Sequence, residues 1–231
     1  MNYNPDDIST WPCFKPPIAA HDVGHTRDRS TAVVGGNSPF GQPLLGIGEA
    51  KELPQGLFGH ARARALSDVL ASHGNIGLVV ADLSNDESYA EVLHEWFGAR
   101  VIGLRITSQG NGREAGLWQV KTGIVPVYTI GRTYLLESFH TELEAGRVRL
   151  AKGPELAQAY QQLANLQAEY RQSGTVYSCP AGHHDDLAIS CAMLSWAARH
   201  PHLERGWLRG IQSAQRPRRP RPDKFGWGAF T

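Results

Sequence analysis

The chain lacks most features that mark a specialised class. It holds three cysteines, Cys13, Cys179 and Cys191, and no CxxC pair. That excludes a disulfide framework and a thiolate zinc site, and fits a reducing, cytoplasmic setting. No apolar run approaches the roughly 20 residues that cross a bilayer, and the polar, proline-broken start has no signal-peptide core. The formal net charge is only +1, so any nucleic-acid surface must arise from local clustering. No G-x-x-x-x-G-K-[ST] phosphate loop occurs. Gly35-Gly36 and Gly46-Ile47-Gly48 read as bends, because no dinucleotide fingerprint surrounds them. There is no internal repeat.

What remains is an ordinary globular composition, 41% hydrophobic and 19% charged, in a length of 231 residues that suits one well-buried core. We divide it into an irregular leader over 1–16, a folded domain over 17–205 and a basic tail over 206–231. Ile18 to Val23, Ser30 to Val34 and Leu44 to Glu49 are short strand-like runs joined by turns, an antiparallel meander. Residues 59–72 then change period: Ala65, Leu66, Val69 and Leu70 fall at helical spacing. Ile76 to Ala81 is a compact apolar run of the kind buried on both sheet faces. A helix carrying Tyr89, Val92, Leu93 and Trp96 follows, with Ser84 or Asn85 as its cap and Gly98 as its stop. Val101 to Ile106 is the next strand, so this stretch is a β-α-β unit with parallel strands.

Residues 107–128 are Gly-rich and give no periodicity. The spacing predicts a helix over 132–145, a short strand at Val148 to Leu150, and a helix opened by Gly153-Pro154-Glu155. That helix is expected to bury a stripe of Leu156, Tyr160, Leu163, Leu166 and Tyr170. Thr175 to Cys179 reads as extended. The last helix runs from about His184 to Ala198, with Leu187, Cys191, Leu194 and Ala198 on one stripe. In the tail, Arg216, Arg218, Arg219 and Arg221 alternate with prolines in an extended, solvated segment that adds sequence-blind, salt-dependent affinity for phosphate.

The acids carry the chemistry. Asp22 ends the first strand, Asp82 ends the central parallel strand, and Asp185 and Asp186 open the last helix. If the first strand lies beside the one ending at Asp82, and the last helix packs across both, three carboxylate positions meet at one sheet edge. Hard divalent cations take oxygen ligands of this kind, and a pair of them supports in-line phosphodiester hydrolysis. Each acid also has a plain reading: a strand-end turn for Asp22, an Asx-turn for Asp82, and helix capping or the macrodipole for Asp185 and Asp186.

The order β-β-β-α-β-α-β, with acids at the ends of strands one and four and on a late helix, resembles the RNase H-like superfamily. Within it, three segments are similar to the motifs of the nuclease domain of phage large terminase subunits. They are His21-Asp22-Val23-Gly24 through Asp28 to Ala32, Val80-Ala81-Asp82 with its following helix and strand, and His184-Asp185-Asp186-Leu187-Ala188. The resemblance spans roughly residues 17–200. It implies an α/β fold, a mixed five-stranded sheet of three antiparallel strands then parallel ones, flanked by helices. It implies a metal-dependent endodeoxyribonuclease that cuts concatemeric viral DNA during packaging in the host cytoplasm. Asp22, Asp82 and Asp185 would hold two Mg²⁺ or Mn²⁺ ions, with Asp186 replacing or assisting Asp185. Asp28, His183 and His184 would stand behind them. Duplex DNA, a small terminase subunit, a portal and an ATPase motor would be the partners. Two departures are visible: the motor's phosphate loop is absent, which implies an excised domain, a split subunit or a free-standing relative; and Ala188 or Ile189 stands where some relatives carry a further acid. Two alternatives keep the fold: a Holliday-junction resolvase using the same acids, and a non-catalytic DNA-binding or assembly module that needs no metal.

Overall fold

A computed structural model describes residues 17–24, 29–38, 44–171, 174–180 and 184–200. Leader, tail, Asp28 and His183 lie outside the described residues. The first three strands are β1 (Ile18–Asp22), β2 (Thr31–Asn37) and β3 (Leu45–Glu52), followed by helix α1 (Gly59–Leu70). Then come β4 (Leu78–Asp82), α2 (Tyr89–Phe97), β5 (Val101–Thr107), β6 (Asn111–Val120) and β7 (Gly123–Gly131). The rest is α3 (Arg132–Glu144), β8 (Val148–Leu150), α4 (Pro154–Ala164), β9 (Gln167–Arg171), β10 (Gly174–Ser178) and α5 (Asp186–Arg199).

The expected core is present as the contiguous set β3-β2-β1-β4-β5, with β1, β2 and β3 antiparallel and β4 and β5 parallel to β1. The main sheet is larger than the five strands expected. It has eight, in the order β6-β7-β5-β4-β1-β2-β3-β8. The addition beside β5 comes from the Gly-rich stretch, which forms a β6–β7 hairpin with β7 parallel to β5. Only its inner strand carries an apolar run. Edge strand β6 is mostly exposed, so its side chains need not alternate and leave no period to read.

Alternation along the strands divides the interior into two clusters. Ile18, Ala20, Leu78 and Val80 pack toward α3, α4 and α5, while Ala19, Val79 and Ala81 pack toward α1 and α2. Even-numbered residues of β1 and β4 therefore share the α5 face. Helix α5 lies in the middle of that face, and most of its residues are buried.

Two helix readings need correction. Helix α4 ends at Ala164 instead of continuing to Tyr170, and the chain turns into β9, paired antiparallel with β10. Its buried residues are Leu156, Ala159 and Gln162, whereas Tyr160 is 59% exposed. The contact with α5 is narrow, and a residue four past Leu156 rotates out of it. Helix α2 starts at Tyr89, four residues or more past Ser84 and Asn85, and Ser84 bonds instead to Asp82 and to the Ile106 backbone.

Candidate active site

Parallel strands β1 and β4 pair with His21 opposite Ala81. The next residue on each is an acid, so Asp22 and Asp82 lie side by side on the α5 face. Strands β5 and β7 run the same way as β1 and β4, so the C-terminal ends of all four lie at one edge. Ligand sites of open α/β sheets sit at such an edge. The turn from β7 into α3 places Arg132 there as well.

Buried hydroxyls bring α5 to this edge. Thr31, paired with Asp22 across β1–β2, donates from Oγ1 to the Asp186 carbonyl at 3.2 Å and lies 2.6 Å from Ser190 Oγ. Gln162 of α4 supplies a further tie, accepting the Ala188 N–H at 3.1 Å. That satisfies one of the N–H groups that a helix start leaves without an intrahelical partner.

The result is a small cavity of about 170 Å³, lined by Asp22, Val23, Gly24, Asp82, Asn85, Ile106, Arg132, Asp185, Asp186 and Ile189. All four acids singled out as metal ligands meet in it, although more than 160 positions separate Asp22 from Asp186 in the chain. His184 is exposed and does not line it. His21, next to Asp22, points to the opposite layer, where its ring meets Tyr89 edge-on at 5.8 Å.

Asp82 is 9% exposed. Its Oδ1 accepts from the Ser84 N–H at 2.9 Å and the Ser84 hydroxyl at 2.5 Å. Ser84 Oγ in turn accepts the Ile106 N–H at 2.7 Å, tying this turn to β5. The Asx-turn reading is therefore correct, and it coexists with a place in the cavity. Burial pushes the Asp82 carboxyl above its ordinary range, and the bonds from Ser84 and the Ile106 backbone only partly offset this.

Asp185 occupies the N-cap position of α5 yet makes no side-chain capping bond. Its carboxylate forms an ion pair with Arg132, the single basic residue among those described as lining the cavity. Arg132 is the site residue that sequence reading missed. One signal was available: a cation in the first turn of a helix stands at the end the macrodipole disfavours, which calls for a nearby acid.

Among the described residues, no three His, Cys, Asp or Glu side chains stand close enough as placed to hold a metal ion. The donors nonetheless fit a hard divalent cation in kind. They are all carboxylates, one is buried with its charged form disfavoured, and another already faces a cation, the Arg132 guanidinium.

No protein-family model matches the chain, and no curated protein matches its sequence. Solved structures do match. The large terminase nuclease from thermophilic phage G20c superposes with a TM-score of 0.51 at 17% identity, over 80% of this chain and 84% of that one. The large terminase (g2p) nuclease domain of bacteriophage SPP1, solved with bound Mn, gives 0.48 at 10% identity over 84% and 93%. The yeast mitochondrial Holliday junction resolvase Ydc2 gives 0.39 at 8% over 90% and 87%. The fold is thus RNase H-like, in the form seen in a large terminase nuclease. At such identities the likeness establishes the fold alone. Among the described residues no helix is long and apolar enough to cross a membrane.

Proposed function

We propose that this chain is a divalent-metal-dependent endodeoxyribonuclease of large-terminase type, hydrolysing DNA phosphodiesters in the cavity at the C-terminal edge of β1 and β4. The observation that carries this reading is the meeting of Asp22, Asp82, Asp185 and Asp186 in one small cavity. Asp22, Asp82 and Asp185 would hold Mg²⁺ or Mn²⁺, two ions at full occupancy, with Asp186 assisting. When bound, such ions supply an activated water and neutralise charge on the phosphate. The chain's own groups do the positioning. Ser84 orients the Asp82 carboxylate, and Thr31 and Ser190 hold the start of α5 against β2. Arg132 keeps a positive charge beside Asp185.

Duplex DNA is the substrate in this reading, and Arg216, Arg218, Arg219 and Arg221 add affinity for its backbone. The biological setting is the cutting of concatemeric viral DNA in the host cytoplasm, with a small terminase subunit, a portal and an ATPase motor as partners.

Plasmid digestion tests it, with Mn²⁺, Mg²⁺ or EDTA and with Asp22→Asn and Asp185→Asn beside the unaltered chain. Cutting in Mn²⁺ that vanishes in EDTA and in both variants is the expected result. Undiminished cutting by either variant overturns the assignment. Cutting confined to four-way junctions reassigns the site to a resolvase.

A further inference from the structure

We propose that Arg132 is a built-in competitor for the metal site: its guanidinium holds a cation's place on Asp185 and must leave before a divalent ion can use that carboxylate. The inference rests on the nuclease reading and adds to it a residue that regulates loading.

Four observations converge. Arg132 opens α3, where the helix field opposes a cation, so its placement needs the acid it faces. Asp185 gives up the capping bond that its N-cap position offers and pairs with Arg132 instead. The cavity gathers four carboxylates against one basic residue among its described lining. Without some cation these acids repel one another. Finally, the two partners are unequally placed: the Arg132 side chain is 35% exposed and that of Asp185 15%. The arginine is a long side chain that is partly open to solvent, although its Nε and Nη2 are buried at the contact, so it is the partner expected to swing away while the acid stays.

Competition follows from charge. A divalent ion on Asp185 repels a guanidinium at the same oxygens, so the two occupancies exclude each other. The apparent metal affinity is then the intrinsic affinity reduced by the fraction of molecules in which Arg132 has already left. Truncating Arg132 removes that reduction. A lysine keeps the charge but loses the planar fork that matches a carboxylate, so it should compete less well.

The test is Mn²⁺ binding to the full chain without DNA, read from loss of the free-ion EPR signal. The proteins are the unaltered chain, Arg132→Met, Arg132→Lys, Asp185→Asn, the Arg132→Met/Asp185→Asn pair, and Asp82→Asn as the control for loss of the metal site. Arg132→Met should bind Mn²⁺ about tenfold tighter or more, since tenfold corresponds to ~1.4 kcal/mol, a typical charge-assisted contact. Arg132→Lys should fall between. In the Asp185→Asn background the gain from Arg132→Met should shrink, because the two residues act through one contact. Melting temperature in EDTA and in Mn²⁺ is a second readout. Arg132→Met should lower it in EDTA, where Asp185 has lost its guanidinium partner, and Mn²⁺ should raise it more than in the unaltered chain. Equal or weaker Mn²⁺ binding by Arg132→Met, with binding still abolished by Asp82→Asn, sinks this inference and leaves the nuclease reading standing. No Mn²⁺ binding by any of the proteins sinks both.

Discussion

The hydroxyl of Thr31 on β2 lies 2.6 Å from that of Ser190 on α5, a buried contact between residues 159 positions apart. Thr31 is a hub. Its carbonyl receives His21 Nδ1 at 2.8 Å, its hydroxyl also reaches the Asp186 carbonyl, and its strand partner is Asp22. The start of α5 is thereby registered against the end of β1.

Removing one partner of this contact should cost more than removing both. Thr31→Val leaves the Ser190 hydroxyl buried without its acceptor, a loss of about 1–3 kcal/mol. Thr31→Val with Ser190→Ala should recover most of that loss, because no orphan remains. Urea unfolding of the two single variants and the double checks this. DNA cutting should fall in the double variant even where stability returns, since the carboxylates of α5 are no longer held in register.

Asp82→Asn separates stability from activity. Its carboxyl is raised above the ordinary value of 3.8, chiefly by burial. Below that value both folded and unfolded chains are protonated here, and the site adds no penalty. As pH rises through the raised value, the folded state alone must keep a buried charge or a costly proton, and stability falls. In EDTA at pH 7.5, Asp82→Asn should therefore melt at or above the unaltered chain. The difference should close as pH drops toward 4. Nuclease activity should be lost throughout. Thermal scans in EDTA at several pH values decide it; a variant that is less stable at pH 7.5 and gains on acidification contradicts the account.

Much of this architecture is legible from residue order, and the reasons are physical. Ile76 to Ala81 is apolar at every position but one, as suits a strand buried on both faces, and Leu78 to Ala81 of it form most of β4, whose five residues are all buried. The stripe Leu187, Cys191, Leu194 and Ala198 is buried in α5 as its spacing demands. The convergence of acids could be read because strand ends and helix starts are the places where sequence punctuation is strongest. What could not be read has weak or misleading local signal. Strand β6 faces solvent and has no period. The end of α4 is hidden by a misleading local pattern: Leu163, Leu166 and Tyr170 continue a helical spacing past Ala164, although the chain there turns into β9, paired with the nearby β10. Arg132 could be placed on a helix, but its partner Asp185 is 53 positions away, and only the parallel run of β7 beside β5 brings them together.

Gly35 sits where two backbones come too close for any side chain. A Cβ there would lie 2.2 Å from the Gly46 carbonyl oxygen and 3.0 Å from the Ile47 Cα. Both obstacles are main chain, so neither can rotate aside, and the β2–β3 register already shifts between Val34 and Gly35. Gly35→Ala should destabilise by about 1–3 kcal/mol or more. Gly116→Ala is the control: its nearest neighbours would be at 3.7 and 3.9 Å, ordinary contact. The two urea midpoints should differ clearly, with Gly116→Ala near the unaltered chain.

His21 sets an acid limit on the fold. The ring is fully buried, and Nδ1 donates to the Thr31 carbonyl, which requires the proton on that nitrogen. Burial, helped by the nearby charge of Arg62, lowers its pKa from 6.5 to about 4 against the pull of that hydrogen bond. The folded chain thus keeps a neutral ring where the unfolded chain takes up a proton. Stability from this group is complete above about 6.5 and is lost as pH falls toward 4, by about 3 kcal/mol at ~1.4 kcal/mol per pKa unit. His21→Gln gives up packing and should be less stable at pH 7.5. It should also have a flatter dependence between pH 6.5 and 4, because no proton is then taken up at this position on unfolding. Urea midpoints at pH 7, 6, 5 and 4.5 for both chains measure the two slopes. Parallel slopes would mean that another group carries the acid sensitivity.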